Sequence, residues 1–279
     1  MKHSQILKNF AQFQLSLIIP PGNALKVRTA SAFAEATFLE TFPTEIRILN
    51  LQDFLWTVAL FKHPKFDFTD EHICIAETDG TAELIYPQAK PGSAVRLALP
   101  KKMNPLPPEN FTFTISAEQW ATLQKALRKK DDWKRWNLTI ISDGKAVRLV
   151  AERGSNSAAY SVMVEAPTNG LEFTCVLDSA HLLMVEGPYR VTVTPTYTIF
   201  QHAGGYDLRY FVGSEIALST WGEKKTYLVA ATKSMVQDCR FSVLAHSAEE
   251  AEAIVRQKPD EDFRWTAEPR IHKDFKAVA

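Results

Sequence analysis

One unit, a helix followed by two strands that meet at a turn, recurs along this sequence. In its two clearest copies a helix begins after a capping residue, Asn50 or Ser116, and its apolar residues recur at helical spacing. Two strand-like runs follow each helix and meet at an Asp-Gly dipeptide, Asp79-Gly80 or Asp143-Gly144, which is a strong hairpin signal. The repeat constrains the fold to helices that alternate with hairpins.

Two looser copies of the unit complete the pattern. The first is a helix over residues 4–13, followed by strand-like runs on either side of Pro21-Gly22. The second is a strand over residues 171–177, a short helix that Asp178 can cap, and a strand from Tyr189. Alternating apolar and polar residues suit antiparallel sheets with one buried face. Because the helices alternate with hairpins and not with single strands, we predict an α+β fold over a doubly wound parallel sheet.

A proline-rich stretch from Leu99 to Asn110 lacks any period and is predicted to link two domains, each with two units. The chain beyond breaks the repeat with a strand-like run over 239–245, a helix that Ser247 can cap, and an apolar run over 262–267. We expect this tail to be a small folded strand–helix–strand appendage outside the repeat. The predicted boundaries are an N-terminal domain over 1–108, a C-terminal domain over 109–234, and an appendage over 235–279.

Composition excludes several classes of protein. Among the 279 residues, 46% are hydrophobic, no apolar run is long enough to cross a membrane, and the N-terminal residues are too polar for a secretory signal. Cys74, Cys175 and Cys239 lie far apart in apolar runs, which favours buried thiols in a reducing compartment. No pattern indicates a metal, a cofactor or a catalytic residue, so we do not expect an enzyme.

Positive charge gathers on one segment, although the chain carries 32 basic and 32 acidic residues. The segment runs from Leu123 to Trp136 and belongs to the helix after Ser116, in which Trp120, Leu123 and Leu127 form an apolar face. Lys125 lies on the opposite face, together with Arg128 and Lys129. A basic helix face is by default a solvated surface, but phosphate contact is the alternative.

The order of these elements resembles the trimeric DNA sliding clamps of T-even-type bacteriophages. Residues 7–38 resemble that family's N-terminal helix and first sheet, 49–61 its second helix, 115–128 its third helix, and 227–234 its final strand. The resemblance covers roughly residues 1–234. It implies the DNA-clamp fold, in which antiparallel sheets lie outside and helices line a central hole.

The resemblance also implies function and partners. Such clamps form a homotrimeric ring around duplex DNA, tether the replicative DNA polymerase for processive synthesis, and are loaded by an ATP-driven clamp loader. They have no catalytic activity, and some also serve late viral transcription. The implied location is the cytoplasm of the infected host, without membrane contact. Sequence-independent contact with DNA is then expected of the basic residues on the helices and at their ends: Lys8, Lys125, Arg128, Lys129, Lys130, Lys134 and Arg135.

Two alternatives stay open. Trp133 and Trp136 could stack on bases in a non-ring, single-stranded nucleic-acid-binding protein, although such residues more often anchor a sheet edge. A structural virion protein could also use repeated sheets. The second helix departs from the expected pattern, because Gln52, Trp56 and Leu60 lie away from its core face and no basic residue appears before Lys62. That helix is expected to line the hole poorly or to pack at an interface.

Overall fold

The computed structural model describes residues 2–93, 106, 110–127, 136–152, 160–166, 170–222, 225–233, 237–259 and 274–278. Four α-helices lie in this part of the chain: α1 Lys2–Phe10, α2 Leu51–Val58, α3 Ala117–Leu127 and α4 Ala248–Arg256. The predicted linker lies mostly outside the described residues.

Strands make up most of the rest. Those of the first half are β1 Leu17–Ile19, β2 Gly22–Arg28, β3 Ala32–Phe42, β4 Ile46–Ile48, β5 Pro64–Phe68, β6 His72–Glu77 and β7 Glu83–Pro87. Those of the second half are β8 Phe111–Ile115, β9 Asn137–Asp143, β10 Val147–Glu152, β11 Tyr160–Val164, β12 Glu172–Asp178, β13 Tyr189–Val193, β14 Tyr197–His202, β15 Asp207–Gly213 and β16 Thr220–Trp221. The last three strands are β17 Lys225–Lys233, β18 Gln237–Ala245 and β19 Asp274–Val278.

A six-stranded antiparallel sheet joins the two halves, in the order β2-β3-β15-β14-β13-β8. Within it β3 of the first half pairs with β15 of the second, from Ala32 opposite Val212 to Thr37 opposite Asp207. The halves are therefore held together by backbone hydrogen bonds. Each half also has sheets of its own, β5-β6-β7 in the first and β11-β10-β9-β12-β16 in the second.

The helices bury one face each against these sheets. In α1, Ile6 and Phe10 are fully buried, and in α3 Trp120 and Leu123 are fully buried. Trp120 packs against the ring of Phe200, with 5.5 Å between the ring centroids. The apolar residues that recur at helical spacing in the sequence therefore lie in one continuous core.

Local signals in the sequence are confirmed. Gln119 and Ser116 form a reciprocal capping box, in which the Gln119 N–H donates to Ser116 Oγ at 3.2 Å and the Ser116 N–H to Gln119 Oε1 at 2.9 Å. Asn50 accepts from the Asp53 N–H at 3.1 Å. Gly80 and Gly144 both have positive φ at the predicted hairpin turns. These signals act within a few residues.

The runs around Pro21-Gly22 do not form a hairpin. β1 pairs with β4, Leu17 opposite Ile48, while β2 pairs with β3. Pro20 and Pro21 lack the N–H groups that a continuing ladder needs, and Gly22 has a φ of 110°. The chain therefore leaves one sheet and enters another at this point.

The fourth helix is also shorter than predicted. Asp178 caps it as expected, accepting from the Ala180 N–H at 2.9 Å, but only Ser179–His181 forms a single 3-10 turn. Residues 182–185 continue without helical structure. The Val185 N–H, which would close the last turn of a longer helix, instead donates to the Tyr210 hydroxyl at 3.1 Å.

The last three strands form a separate sheet, in the order β18-β17-β19, with α4 packed against it. Ser247 caps α4 as predicted, accepting from the Glu250 N–H at 3.2 Å. The second strand of the appendage is β19, and the apolar run over 262–267 lies outside the described residues. The strand expected to close the second domain, β17, pairs with β18 and β19. The domain boundaries themselves stay predictions.

Candidate nucleic-acid interface

Lys8 and Lys125 are the two candidate DNA-facing residues that the structure describes. Lys8 is exposed on α1, while Ile6 and Phe10 of that helix are buried. Lys125 is exposed on α3 between buried Gln124 and Leu127. Both therefore point away from the apolar core, which is the position that phosphate contact requires.

The other candidates lie outside the described residues, because α3 ends at Leu127 and description resumes at Trp136. They are Arg128, Lys129, Lys130, Lys134 and Arg135. Their contact with DNA stays a prediction from the sequence.

A four-residue segment, Leu182–Val185, lies between α1 and α3, and we call it the strap. The side-chain amide of Asn9 in α1 donates to the carbonyl of Leu183 at 2.7 Å. The amide of Gln124 in α3 donates to the carbonyl of Met184 at 3.0 Å. These two side chains thus satisfy the Leu183 and Met184 carbonyls, while within the strap the Met184 N–H donates to the Leu182 carbonyl at 2.9 Å.

Two tyrosines complete this polar cluster. Tyr210 of β15 donates its hydroxyl to Asn9 Oδ1 at 2.7 Å and accepts from the Val185 N–H at 3.1 Å. The Tyr189 hydroxyl donates to the Val185 carbonyl. Burial raises the pKa of both tyrosines well above the ordinary value, so both hydroxyls stay protonated and can donate. The cluster holds α1 onto the second half of the chain.

Asn9 and Gln124 were not found by sequence reasoning. Polar residues inside an amphipathic helix are ordinarily solvent-facing, yet Asn9 is 5% exposed and Gln124 is 4% exposed. One signal was available: both occupy positions beside the apolar stripe, at helical spacing from Ile6 and Trp120. An amide at such a position indicates a buried hydrogen-bond partner.

Helix α2 differs from α1 and α3, as the sequence indicated. It carries no basic residue, and its first turn holds Asp53. Trp56 is 66% exposed and Leu60, just beyond the helix, is 57% exposed. This face of α2 offers no cation to a phosphate.

Trp136 does not provide an open stacking platform. Its ring packs against the core, its indole Nε1 is buried, and its carbonyl accepts from the Ser179 N–H at 3.0 Å. These contacts favour the anchoring role over base stacking. Trp133 lies outside the described residues.

Three further findings concern metal binding, membrane crossing and the cysteines. Among the residues that the structure describes, no three His, Cys, Asp or Glu side chains come together as a metal site, and no helix is both long and apolar enough to cross a membrane. Cys175 is buried, but Cys74 is only partly buried and its thiol donates to Glu83 Oε1 at 2.9 Å. The prediction of a buried thiol is therefore wrong for Cys74.

The arrangement of sheets and helices is that of DNA clamps. The chain is similar to the PCNA2-PCNA3 complex of Sulfolobus tokodaii, with a TM-score of 0.55 and 11% identity, covering 77% of this chain and 96% of that one. It is also similar to DNA polymerase III subunit beta of Borrelia burgdorferi, with a TM-score of 0.52 and 8% identity, covering 76% of this chain. The chain spans 61% of that bacterial subunit. It has the DNA-clamp fold.

Sequence similarity points to a particular group within that fold. The chain is 24% identical over 221 residues to the sliding clamp of Vibrio phage KVP40, covering 76% of this chain and 96% of the phage protein. No protein-family model matches the chain. The resemblance to phage sliding clamps is confirmed by the fold and this relative together.

Proposed function

We propose that this chain is the subunit of a ring-shaped sliding clamp that encircles duplex DNA and tethers the replicative DNA polymerase. The observation that carries the proposal is the clamp fold, combined with similarity along 96% of a phage sliding clamp. The chain acts without catalysis, in the cytoplasm of the infected host. Its partners are duplex DNA, the polymerase, a clamp loader and, as a further role, the late-transcription machinery.

The internal repeat supports ring closure and suggests which edges meet. β3 is the third strand after α1, and β11 is the third strand after α3. β15 is the third strand after the 3-10 turn Ser179–His181, and β7 is the third strand after α2. Since β3 and β15 pair inside the chain, the equivalent pairing between two chains joins β11 of one copy to β7 of the next.

The two edges are open for such pairing. Within the described residues, β11 pairs only with β10, and β7 pairs only with β6. The sequence of β11, YSVMV, has no charge or proline to protect a free edge, whereas the edge strand β5 begins with Pro64 and carries Lys65 and Asp67. Met163 and Ile85, on the two edges, are 53% and 63% exposed. A head-to-tail ring would cover both edges in every copy.

Helix position supports the contact with DNA. Lys8 and Lys125 project from α1 and α3, and phosphate contacts by lysine carry no sequence information. A clamp needs such contacts because it must hold DNA while sliding along it. Attraction should therefore weaken with salt and be insensitive to base sequence.

Sedimentation tests the assembly. The chain should sediment as three copies of 31.4 kDa at micromolar concentration. Met163→Asp or Ile85→Asp, each placing a charge at one edge, should yield smaller species that stay folded. Leu39→Asp is the matched control, because Leu39 is 92% exposed on β3, away from both edges. A wild-type monomer at high concentration would overturn the ring.

Circular and linear DNA separate a ring from other binders. A loaded ring stays on nicked circular duplex and slides off after the circle is cut. A non-ring protein that prefers single strands would bind both forms of duplex weakly, and a virion protein would form large assemblies without DNA. Either result would replace the proposed function.

A further inference from the structure

We propose that Asn9 and Gln124 are positioning residues, which use the strap to hold Lys8 and Lys125 as one phosphate-contacting site at the junction of the two halves. The proposal rests on the proposed function, since it concerns how the clamp touches DNA. It assigns the DNA contact to α1 and α3 and excludes the face of α2.

The first step is the geometry of the two amides. Asn9 of α1 and Gln124 of α3 donate to the carbonyls of adjacent residues, Leu183 at 2.7 Å and Met184 at 3.0 Å. Two helices from different halves of the chain are thus fixed to one short segment. Leu182 and Met184 are each 2% exposed, so the strap is itself anchored in the core.

The second step is the position of the lysines. Lys8 directly precedes Asn9, and Lys125 directly follows Gln124. In each helix a buried amide and an exposed ammonium are therefore neighbours along the backbone, and adjacent α-carbons are a fixed ~3.8 Å apart. The path from Lys8 to Lys125 runs through the two amide side chains and the peptide unit between Leu183 and Met184. It is short enough that the two lysine α-carbons lie within one turn of duplex DNA, about 34 Å. One duplex can contact both.

The third step is what keeps the strap out of the fourth helix. In an α-helix over residues 179–185 the Val185 N–H would donate to the carbonyl of His181, but here it donates to the Tyr210 hydroxyl at 3.1 Å. The Leu183 and Met184 carbonyls accept from Asn9 and Gln124. The strap is therefore held by side chains of α1, α3 and β15 together.

The fourth step is the contrast with α2. This helix has no basic residue and exposes Trp56, so the part of the hole beside it cannot attract phosphate in the same way. In a ring, the contact sites at the junctions within each chain would alternate with stretches beside α2, a helix that carries no basic residue. DNA would then be held at spaced sites and not by a uniform lining.

The experiment measures how duplex binding depends on salt. Fluorescence anisotropy of a labelled duplex oligonucleotide is followed from about 50 to about 200 mM salt, since the slope reports the number of phosphate contacts at ~0.9 per contact. The central variant is Gln124→Met, which keeps the side-chain length, adds no charge and removes the donor. Sedimentation and thermal unfolding are run alongside to show that the assembly persists.

We expect Gln124→Met to reduce the salt slope by about as much as Lys125→Ala does, near one contact per engaged chain. The double variant should be no worse than Lys125→Ala alone, because a positioning residue acts through the lysine. A merely structural role for Gln124 would lower the melting temperature and leave the slope unchanged, and that result would overturn the proposal.

Asn9→Asp provides the second variant. It keeps the acceptor for the Tyr210 hydroxyl and loses the donor to Leu183, and its effect should depend in the same way on Lys8. Asn23→Asp is the control, because Asn23 also donates from its amide to a backbone carbonyl, that of Phe38 at 3.3 Å, but lies on β2. If Lys8→Ala and Lys125→Ala leave the slope unchanged, the DNA contact of the proposed function fails too. If only Gln124→Met and Asn9→Asp leave the slope unchanged, the DNA contact stands and the positioning role of the two amides is wrong.

Discussion

Arg209 and Glu35 face each other across the ladder that joins the two halves of the chain. They are direct register partners on β15 and β3, and Arg209 Nε lies 3.3 Å from Glu35 Oε1. Lys26 of β2 approaches the same carboxylate at 3.6 Å. Because these side chains are partly exposed, the ion pairs stabilise the fold only weakly, and the backbone ladder between β3 and β15 carries most of the junction.

Reversing the charge of Glu35 should be more damaging than removing it. Glu35→Ala is expected to lower the free energy of unfolding by under about 1 kcal/mol, whereas Glu35→Lys places three cations together and should cost more. Adding Arg209→Glu to Glu35→Lys should recover part of the loss. Urea unfolding of the single and double variants measures this, and full additivity would show that the two side chains do not interact.

Truncating Trp120 should lower the free energy of unfolding far more than truncating Trp56. It is fully buried between Tyr189 and Phe200, with ring centroids 5.5 Å away in both cases. Trp120→Ala is expected to cost about 3–5 kcal/mol by loss of apolar burial and creation of a cavity. Trp56→Ala, at a side chain 66% exposed, should change the unfolding free energy by less than about 0.5 kcal/mol. Equal losses would contradict the burial of Trp120.

Gly187 should not tolerate a side chain. Its φ is 147°, and a Cβ there would lie 2.2 Å from Nε2 of His202, whose ring is buried. Gly187→Ala should therefore destabilise by on the order of 2 kcal/mol. Gly22→Ala is the control, since Gly22 also has positive φ but open space around it. A smaller loss for Gly187→Ala in a His202→Ala background would show that the contact is responsible.

His202 should make stability depend on pH. Burial lowers the pKa of His202 below its ordinary 6.5, while its Nδ1 accepts from the Gly204 N–H at 3.0 Å. Between the lowered folded pKa and 6.5, the unfolded chain binds a proton that the folded chain does not, so stability falls as the pH drops through this window. His202→Gln should flatten the difference between the free energies of unfolding at pH 7.5 and at a pH below 6.5.

Two truncations test where the tail begins. β17 pairs with β18 over Lys225–Lys233 and with β19 as well. A chain ending at residue 235 would keep β17 with two open edges and should aggregate. A chain ending at residue 222 should remain soluble and keep the clamp sheets. If the chain ending at residue 235 is the more soluble of the two, β17 belongs with the second clamp domain, as the sequence analysis expected.

Sequence reasoning succeeded where the determining interactions are local. The caps at Asn50, Ser116 and Ser247 and the turns at Gly80 and Gly144 each depend on residues within about four positions, and all five are present. The exposed positions of Lys8 and Lys125 follow equally from helical period.

The remaining features depend on residues that are distant in sequence. β1 pairs with β4 and not with β2, because Pro20 and Pro21 have no backbone N–H with which to continue a ladder between β1 and β2. The strap exists because Asn9 reaches Leu183, 174 residues away. Neither helical period nor turn chemistry identifies a partner so far along the chain, so the partners of the buried amides and the choice of strand neighbours could not be predicted.

The distance between Asn9 and Tyr210, 201 residues along the chain, also has a consequence for biosynthesis. During translation α1 and β3 leave the ribosome long before β15. That strand carries the Tyr210 hydroxyl, which donates to Asn9, and it is also the strand that pairs with β3. Closing so long a loop is entropically costly, so folding is slow relative to a chain of local contacts. We expect the nascent first half to hold an open strand edge until residues 207–213 emerge, which would favour binding by chaperones during that interval.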